Sequence, residues 1–119
     1  MNSLVLAYLG DSIYEVYIRK YLINKGICKV KELQSESIKY VSAKSQTSFL
    51  KEMIDNNFFD EKELSIIITA RNHKNNHKPK NCDIITYKYA TGFEALIGYL
   101  YLENKINRIE EIIDFITRR

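Results

Sequence analysis

Two carboxylates stand out because of what surrounds them. Asp11 lies beside Gly10 in LAYLGDSIYEVYI, residues 6–18, among the most apolar stretches of the chain. Glu94 lies in YATGFEALIGYLYL, residues 89–102, with Ala90, Thr91, Ala95 and Gly98 near it at helical spacing. A buried charge is costly unless it is paired or bound to a metal, and a glycine inside a helix costs roughly 1 kcal/mol relative to alanine. If both segments are helices, Ala7, Gly10 and Asp11 share one stripe, and Glu94 shares another with small residues. Small residues let helix backbones approach closely, so two such stripes face to face bring Asp11 and Glu94 into one narrow site. Like charges that close raise each other's pKa unless a cation sits between them. A few oxygen ligands with room left for water suit Mg²⁺. Each acid also has a plainer reading. Ser12-Ile13-Tyr14-Glu15 fits an S-x-x-E capping box, so a helix can start at Ser12 with Gly10-Asp11 as an ordinary turn. Glu94 alone reads as a solvated residue on an amphipathic helix.

The elements that must position these residues read as helical throughout. Residues 3–24 form a helix or helix pair ended near Gly26. Residues 30–55 continue the pattern, with a break near Tyr40–Ser42, and Asn56-Asn57 suggest a loop. Asp60 caps the next helix, DEKELSIIITA, with Glu63 completing a capping box. Asp83 can start a helix running through Leu102, and a last amphipathic helix covers 107–117, with Ile109, Ile112, Ile113 and Ile116 on one face. The expectation is an all-α fold in one domain spanning residues 1–119, without internal repeats.

Between the two carboxylate segments lies RNHKNNHKPKN, residues 71–81, with no apolar residue and no acid. Arg71, Asn72, Lys74, Lys78 and Lys80 are candidate phosphate or RNA contacts there, with Lys44 a further one. The plainer reading of the segment is a solubilising loop, and of Lys44 an exposed lysine. A loop without a hydrophobic anchor is usually a binding segment or disordered, and this one can reach a cleft shared by the flanking helices. His73, His77 and Cys82 match no strong zinc spacing.

Composition bounds the rest. Among the 119 residues, 45% are apolar, which argues against disorder, and the single proline, Pro79, leaves few helix breakers. No apolar run approaches the roughly 18–20 residues that cross a membrane, and no signal-peptide pattern follows Met1. Cys28 and Cys82 form no CxxC, so a reduced, cytoplasmic protein is expected. The net charge of +3 says less about partners than its clustering does.

Taken together, the motifs resemble a known family. LAYLGDSIYE resembles the leucine-glycine-aspartate signature of ribonuclease III, and FEALIGYLYLE resembles that family's second motif. VSAKSQ (41–46), ARN (70–72), PKN (79–81) and TYKYATGFEALIGYLYLE (86–103) are similar to its small Mini-III branch, which consists of the catalytic domain alone. The resemblance covers nearly the whole chain. It implies a continuous first helix, with Asp11 and Glu94 as the catalytic, metal-binding pair, and no double-stranded-RNA-binding domain. It implies Mg²⁺, which Mn²⁺ can replace, and hydrolysis of double-stranded RNA to a 5′-phosphate and a 3′-hydroxyl by an acidified water attacking in line. It also implies a homodimer and a role in maturing large-subunit ribosomal RNA precursors. Tyr8, Tyr14, Tyr99 and Tyr101 are candidate interface residues or core-edge residues. The chain departs from larger relatives at Ala7 and Thr91, where they carry acids. The rival reading is therefore a catalytically inactive RNA-binding module of the same fold; a helical protein–protein adaptor is a third.

Overall fold

The helix that carries Glu94 is the axis around which the rest is built. A computed structural model describes residues 1–74 and 82–118. Among these residues the elements are α1 (Ser3–Asn24), α2 (Val30–Val41), α3 (Ala43–Asp55), α4 (Glu61–Arg71), α5 (Ile84–Leu102) and α6 (Ile106–Thr117). In α5, Ala90, Thr91, Gly92, Phe93, Ala95, Leu96, Ile97, Gly98 and Leu100 are all buried. A helix apolar around most of its girth must be covered on several sides, and α1, α3 and α4 pack directly against it. The core joins Tyr14, Ile18 and Leu22 of α1 to Leu50 and Met53 of α3, Phe93, Leu96 and Leu100 of α5, and the isoleucine face of α6. No helix among the described residues is long and apolar enough to cross a membrane.

Most of the expected boundaries are met by the expected chemistry. Asp60 and Glu63 form a reciprocal capping box, with Glu63 N–H donating to Asp60 Oδ1 at 2.8 Å and Asp60 N–H donating to Glu63 Oε1 at 3.0 Å. The Asp83 side chain accepts from Thr86 N–H and opens α5. The break between α2 and α3 falls at Ser42, whose extended backbone ends one helix and whose Oγ caps the next by accepting from Ser45 N–H at 3.1 Å. Gly26 closes the first helix region at φ +105°, a conformation that disfavours any Cβ.

Two alternatives that the sequence leaves open are decided. Ser12 and Glu15 start no helix: α1 runs unbroken through Gly10 and Asp11, because packing on α5 stabilises the glycine-containing turn. Tyr14 is not an interface residue. Its ring is fully buried edge-on to Phe93, with centroids 5.0 Å apart, and its hydroxyl donates to the Tyr40 carbonyl at 2.8 Å. Tyr8, by contrast, is 82% exposed.

An unexpected tie joins α4 to α6. Arg108 Nε donates to Glu63 Oε2 at 2.8 Å, and its Nη2 donates to Glu63 Oε1 at 2.9 Å and to the Phe58 carbonyl at 2.6 Å. Glu63 thus caps its own helix and anchors a neighbour. Bidentate, charge-assisted geometry of this kind is the strong form of an ion pair.

Helices α1 and α5 meet backbone to backbone. A Cβ on Gly10 would overlap the carbonyl oxygen of Glu94 and fall 2.8 Å from the amide nitrogen of Gly98. A Cβ on Gly98 would overlap the carbonyl oxygen of Leu6. Backbone cannot yield as a side-chain tip can, so Gly10→Ala and Gly98→Ala should each destabilise the protein by about 3 kcal/mol in urea titration. Gly26→Ala meets open space and only backbone strain, so it should cost about 1 kcal/mol. Equal losses at Gly10 and Gly26 would show that the helix crossing is not the tight point.

Candidate active site

The glycine contact sets the distance between the two acids. With Gly10 seated against the Glu94 backbone, the next residue of α1, Asp11, lies close enough to the Glu94 side chain for the two carboxyl groups to repel each other. They line an open cleft of about 340 Å³ together with Leu4, Ala7 and Tyr8 of α1 and Tyr87 and Thr91 of α5. Asp11 is exposed at the cleft and Glu94 is half-buried behind it. Ala7 and Thr91, the positions singled out in the sequence for lacking an acid, face this same cleft. Ala7 is buried, and the Thr91 hydroxyl donates to the Tyr87 carbonyl at 3.0 Å. Among the described residues, no cluster of three or more His, Cys, Asp or Glu side chains is arranged to hold a metal.

The electrostatics follow from this crowding. Burial and then the charge of Asp11 push the Glu94 carboxyl from its ordinary value of 4.5 up to about 8, and Glu15 acts in the same direction. One group opposes them. Gln46 of α3, only 1% exposed, donates from Nε2 to Glu94 Oε2 at 3.4 Å and to the Val41 carbonyl at 3.2 Å. Gln46 was missed as a site residue in the sequence because an amide in a polar stretch carries no charge signal. The one available hint is its position in VSAKSQ, four residues past Ser42, the cap at the helix break.

The basic candidates divide. Lys44 is exposed in the first turn of α3, two positions before Gln46. Arg71 ends α4 with its guanidinium 5.5 Å from the centre of the Tyr89 ring, and Lys51 Nζ lies 4.9 Å from the same ring. At 3.6 residues per turn Tyr89 lies about 140° around α5 from Glu94, so this cationic group is not beside the carboxylates. Asn72 and Lys74 are exposed just beyond α4. Lys78, Lys80 and His77 lie outside the described residues. Lys88, which the sequence reading passed over, borders a small recess with His73, Leu4, Tyr87 and Thr91, the last three shared with the cleft.

A hard-oxygen pair that repels unless something positive, a proton or a cation, lies between its members can hold a divalent cation, and it leaves most coordination positions to water or phosphate. Without a cation, a pH dependence follows. Between about 4.5 and 8 the folded protein keeps a proton on Glu94 that the unfolded chain has lost, so stability falls as pH rises through this range. The melting temperature of chelator-treated protein should therefore drop from pH 5 to pH 8, and Glu94→Gln should flatten that slope. An unchanged slope in Glu94→Gln would place the titration elsewhere.

Comparison with known proteins supplies the context. The Ribonuclease III domain family matches residues 4–105. The Mini-ribonuclease 3 of Streptococcus pneumoniae is 39% identical over 119 residues, covering 100% of this chain and 93% of that protein. The Mini-ribonuclease 3 of Enterococcus faecalis is 42% identical, covering 100% of this chain and 90% of its own length. A crystal structure of a Fusobacterium nucleatum protein superposes with a TM-score of 0.89 at 36% identity, covering 99% of this chain and 94% of that one.

Proposed function

Since the chain belongs to the ribonuclease III family of endoribonucleases, we propose that it is a Mg²⁺-dependent endonuclease of double-stranded RNA whose catalytic pair is Asp11 and Glu94. The observation that carries the reading is the forced apposition of these two carboxyl groups in one open cleft. It favours a working nuclease over an inactive binding module, because burying Glu94 against a second acid is costly and serves no packing purpose.

The residues present fit a magnesium ion. Both ligands are hard oxygens, one is exposed, and the cleft leaves room for water and phosphate oxygens. Bound there, Mg²⁺ would polarise a phosphodiester and acidify a water for in-line attack, leaving a 5′-phosphate and a 3′-hydroxyl. The chain's own part is positional. Gly10 and Gly98 hold the two helices at the spacing that Asp11 and Glu94 require, and Ala7 and Thr91 leave space where a third or fourth acid would stand. Lys44, Arg71, Asn72, Lys74, Lys78 and Lys80 would meet RNA phosphates, with the salt dependence that such contacts bring. Similarity to Mini-ribonuclease 3 proteins extends the proposal to precursors of large-subunit ribosomal RNA as substrate. Mn²⁺ is expected to substitute for Mg²⁺.

The same reading includes a homodimer. Val5, Tyr8, Val16 and Ile23 are all more than half exposed and recur at helical spacing along α1, the helix that carries Asp11. An apolar stripe of this length on one helix suits a second copy of the chain. Val16→Arg should shift sedimentation from dimer to monomer, and a wild-type monomer at micromolar concentration would remove this part of the proposal.

The decisive assay is cleavage of long double-stranded RNA by wild type, Asp11→Asn and Glu94→Gln, each with Mg²⁺ and with a chelator. Wild type should give Mg²⁺-dependent fragments, and each variant should lose at least about a hundredfold in rate, the scale on which one metal-ligand or charge-stabilising group contributes. Salt-sensitive binding by wild type with no cleavage in Mg²⁺ or Mn²⁺ would replace the nuclease with the RNA-binding module.

A further inference from the structure

Gln46 is the most deeply buried polar side chain near the cleft, and its environment is half satisfied. It is 1% exposed; its Nε2 makes both of its hydrogen bonds, while Oε1 is buried without a partner. A buried acceptor left unpaired costs free energy, so the arrangement is retained for what the other end does. The amide cannot be reversed. Val41 offers a carbonyl oxygen, which only accepts, so the NH₂ end must face it and, with it, Glu94.

The carbonyl that anchors Gln46 is itself a product of the fold. The break at Ser42 ends α2, so the last carbonyls of that helix have no partner within it. Two side chains take them: Tyr14 of α1 donates to Tyr40, and Gln46 of α3 donates to Val41. Backbone holds the other side of Gln46, because its own N–H donates to the Ser42 carbonyl at 2.9 Å, next to the Ser42 cap. The amide is thus tied at both ends of its side chain to the α2–α3 corner, and its remaining hydrogen points at Glu94 Oε2.

We propose that Gln46 is a positioning residue: anchored on the α2–α3 corner, it holds one oxygen of Glu94 by hydrogen bond so that the carboxyl stays turned toward Asp11 as a ready-made cation ligand. This deepens, and rests on, the reading of Asp11 and Glu94 as the metal-binding pair. Groups behind a metal ligand orient it, and their loss typically weakens metal binding tenfold or more. Gln46 touches neither RNA nor the cation in this role. Its effect should therefore appear in the Mg²⁺ requirement and not in the affinity for RNA.

The test replaces Gln46 with Met, which keeps the length and lacks a donor, and with Asn, which keeps the amide but is too short to span Val41 and Glu94. Thr47→Val serves as a control: Thr47 is the buried neighbour, but its hydroxyl donates to the Thr86 carbonyl at 2.9 Å and not to the acids. Mg²⁺ is titrated calorimetrically into each protein without RNA, and the crystal structure of metal-free Gln46→Met is determined. Expected are about tenfold weaker Mg²⁺ binding in both Gln46 variants, unchanged binding in Thr47→Val, and a Glu94 carboxyl turned away from Asp11 in Gln46→Met. In cleavage, kcat of Gln46→Met should fall at low Mg²⁺ and recover at high Mg²⁺, with KM for RNA unchanged. Wild-type Mg²⁺ affinity in the Gln46 variants, or a Glu94 carboxyl that keeps its place in Gln46→Met, would overturn the proposal. Should wild type itself bind no Mg²⁺, the metal-site reading falls instead, and the position of Glu94 in Gln46→Met still decides the role of Gln46.

Discussion

Everything at the cleft depends on how closely α1 and α5 approach. Gly10 and Gly98 lie against each other's helix with no room for a single methyl group. Ordinary helix pairs stand 8–10 Å apart because side chains separate them; removing two side chains lets backbone touch backbone. The consequence is a fixed register. Once Gly10 is seated on Glu94, Asp11 has no freedom to lie elsewhere along α5. The glycines weaken each helix taken alone, and the shared burial of Leu6, Ala7, Tyr14, Phe93 and Leu96 offsets that loss.

The electrostatic strain at the cleft is a result of the same contact. Glu94 is pulled into the protein far enough to be desolvated, and another acid, Asp11, lies close to it. A core selected for stability alone would place an apolar residue there. The surrounding polar groups do not neutralise the pair. Gln46 contributes one hydrogen bond, and Thr91 turns its hydroxyl back to its own helix. What is left is a cleft in which two acids lie side by side with little to offset them, which is the physical basis for proposing a cation there.

Two further ties join helices through their ends. Tyr14 and Gln46 cap the two carbonyls at the end of α2, tying the corner to α1 and α3. The Glu63–Arg108 pair fixes the start of α4 to α6, and the Arg108 guanidinium lies 4.3 Å from the centre of the Phe58 ring. Both ties are long-range hydrogen bonds to backbone or to a helix cap. They hold helix ends, where orphan groups are available, and leave the faces of the helices to apolar packing.

The helices were legible in the sequence because their causes are local. The Asp60–Glu63 box, the Asp83 cap, the break at Ser42 and the apolar spacing of α5 and α6 depend on residues within a few positions of one another. Asp11 and Glu94 are conspicuous in the sequence for a related reason: a carboxylate flanked by small residues in an apolar segment conflicts with its surroundings, and such conflict is where a functional site is sought. Local pattern did not settle whether α1 ran through Gly10, since the capping-box alternative satisfied the same rules, and the resemblance to ribonuclease III supplied that expectation. In the sequence Tyr14 is a candidate for either an interface or the core edge, Glu63 is half of a capping box, and Gln46 and Arg108 carry no signal of their own. Their roles come from partners 26, 48 and 45 residues away in sequence. The sequence by itself determined which segments coil and which residues are out of place in them; only the tertiary structure decided which of those residues meet, because hydrogen-bond partners and helix spacing are set by packing between elements that no local pattern encodes.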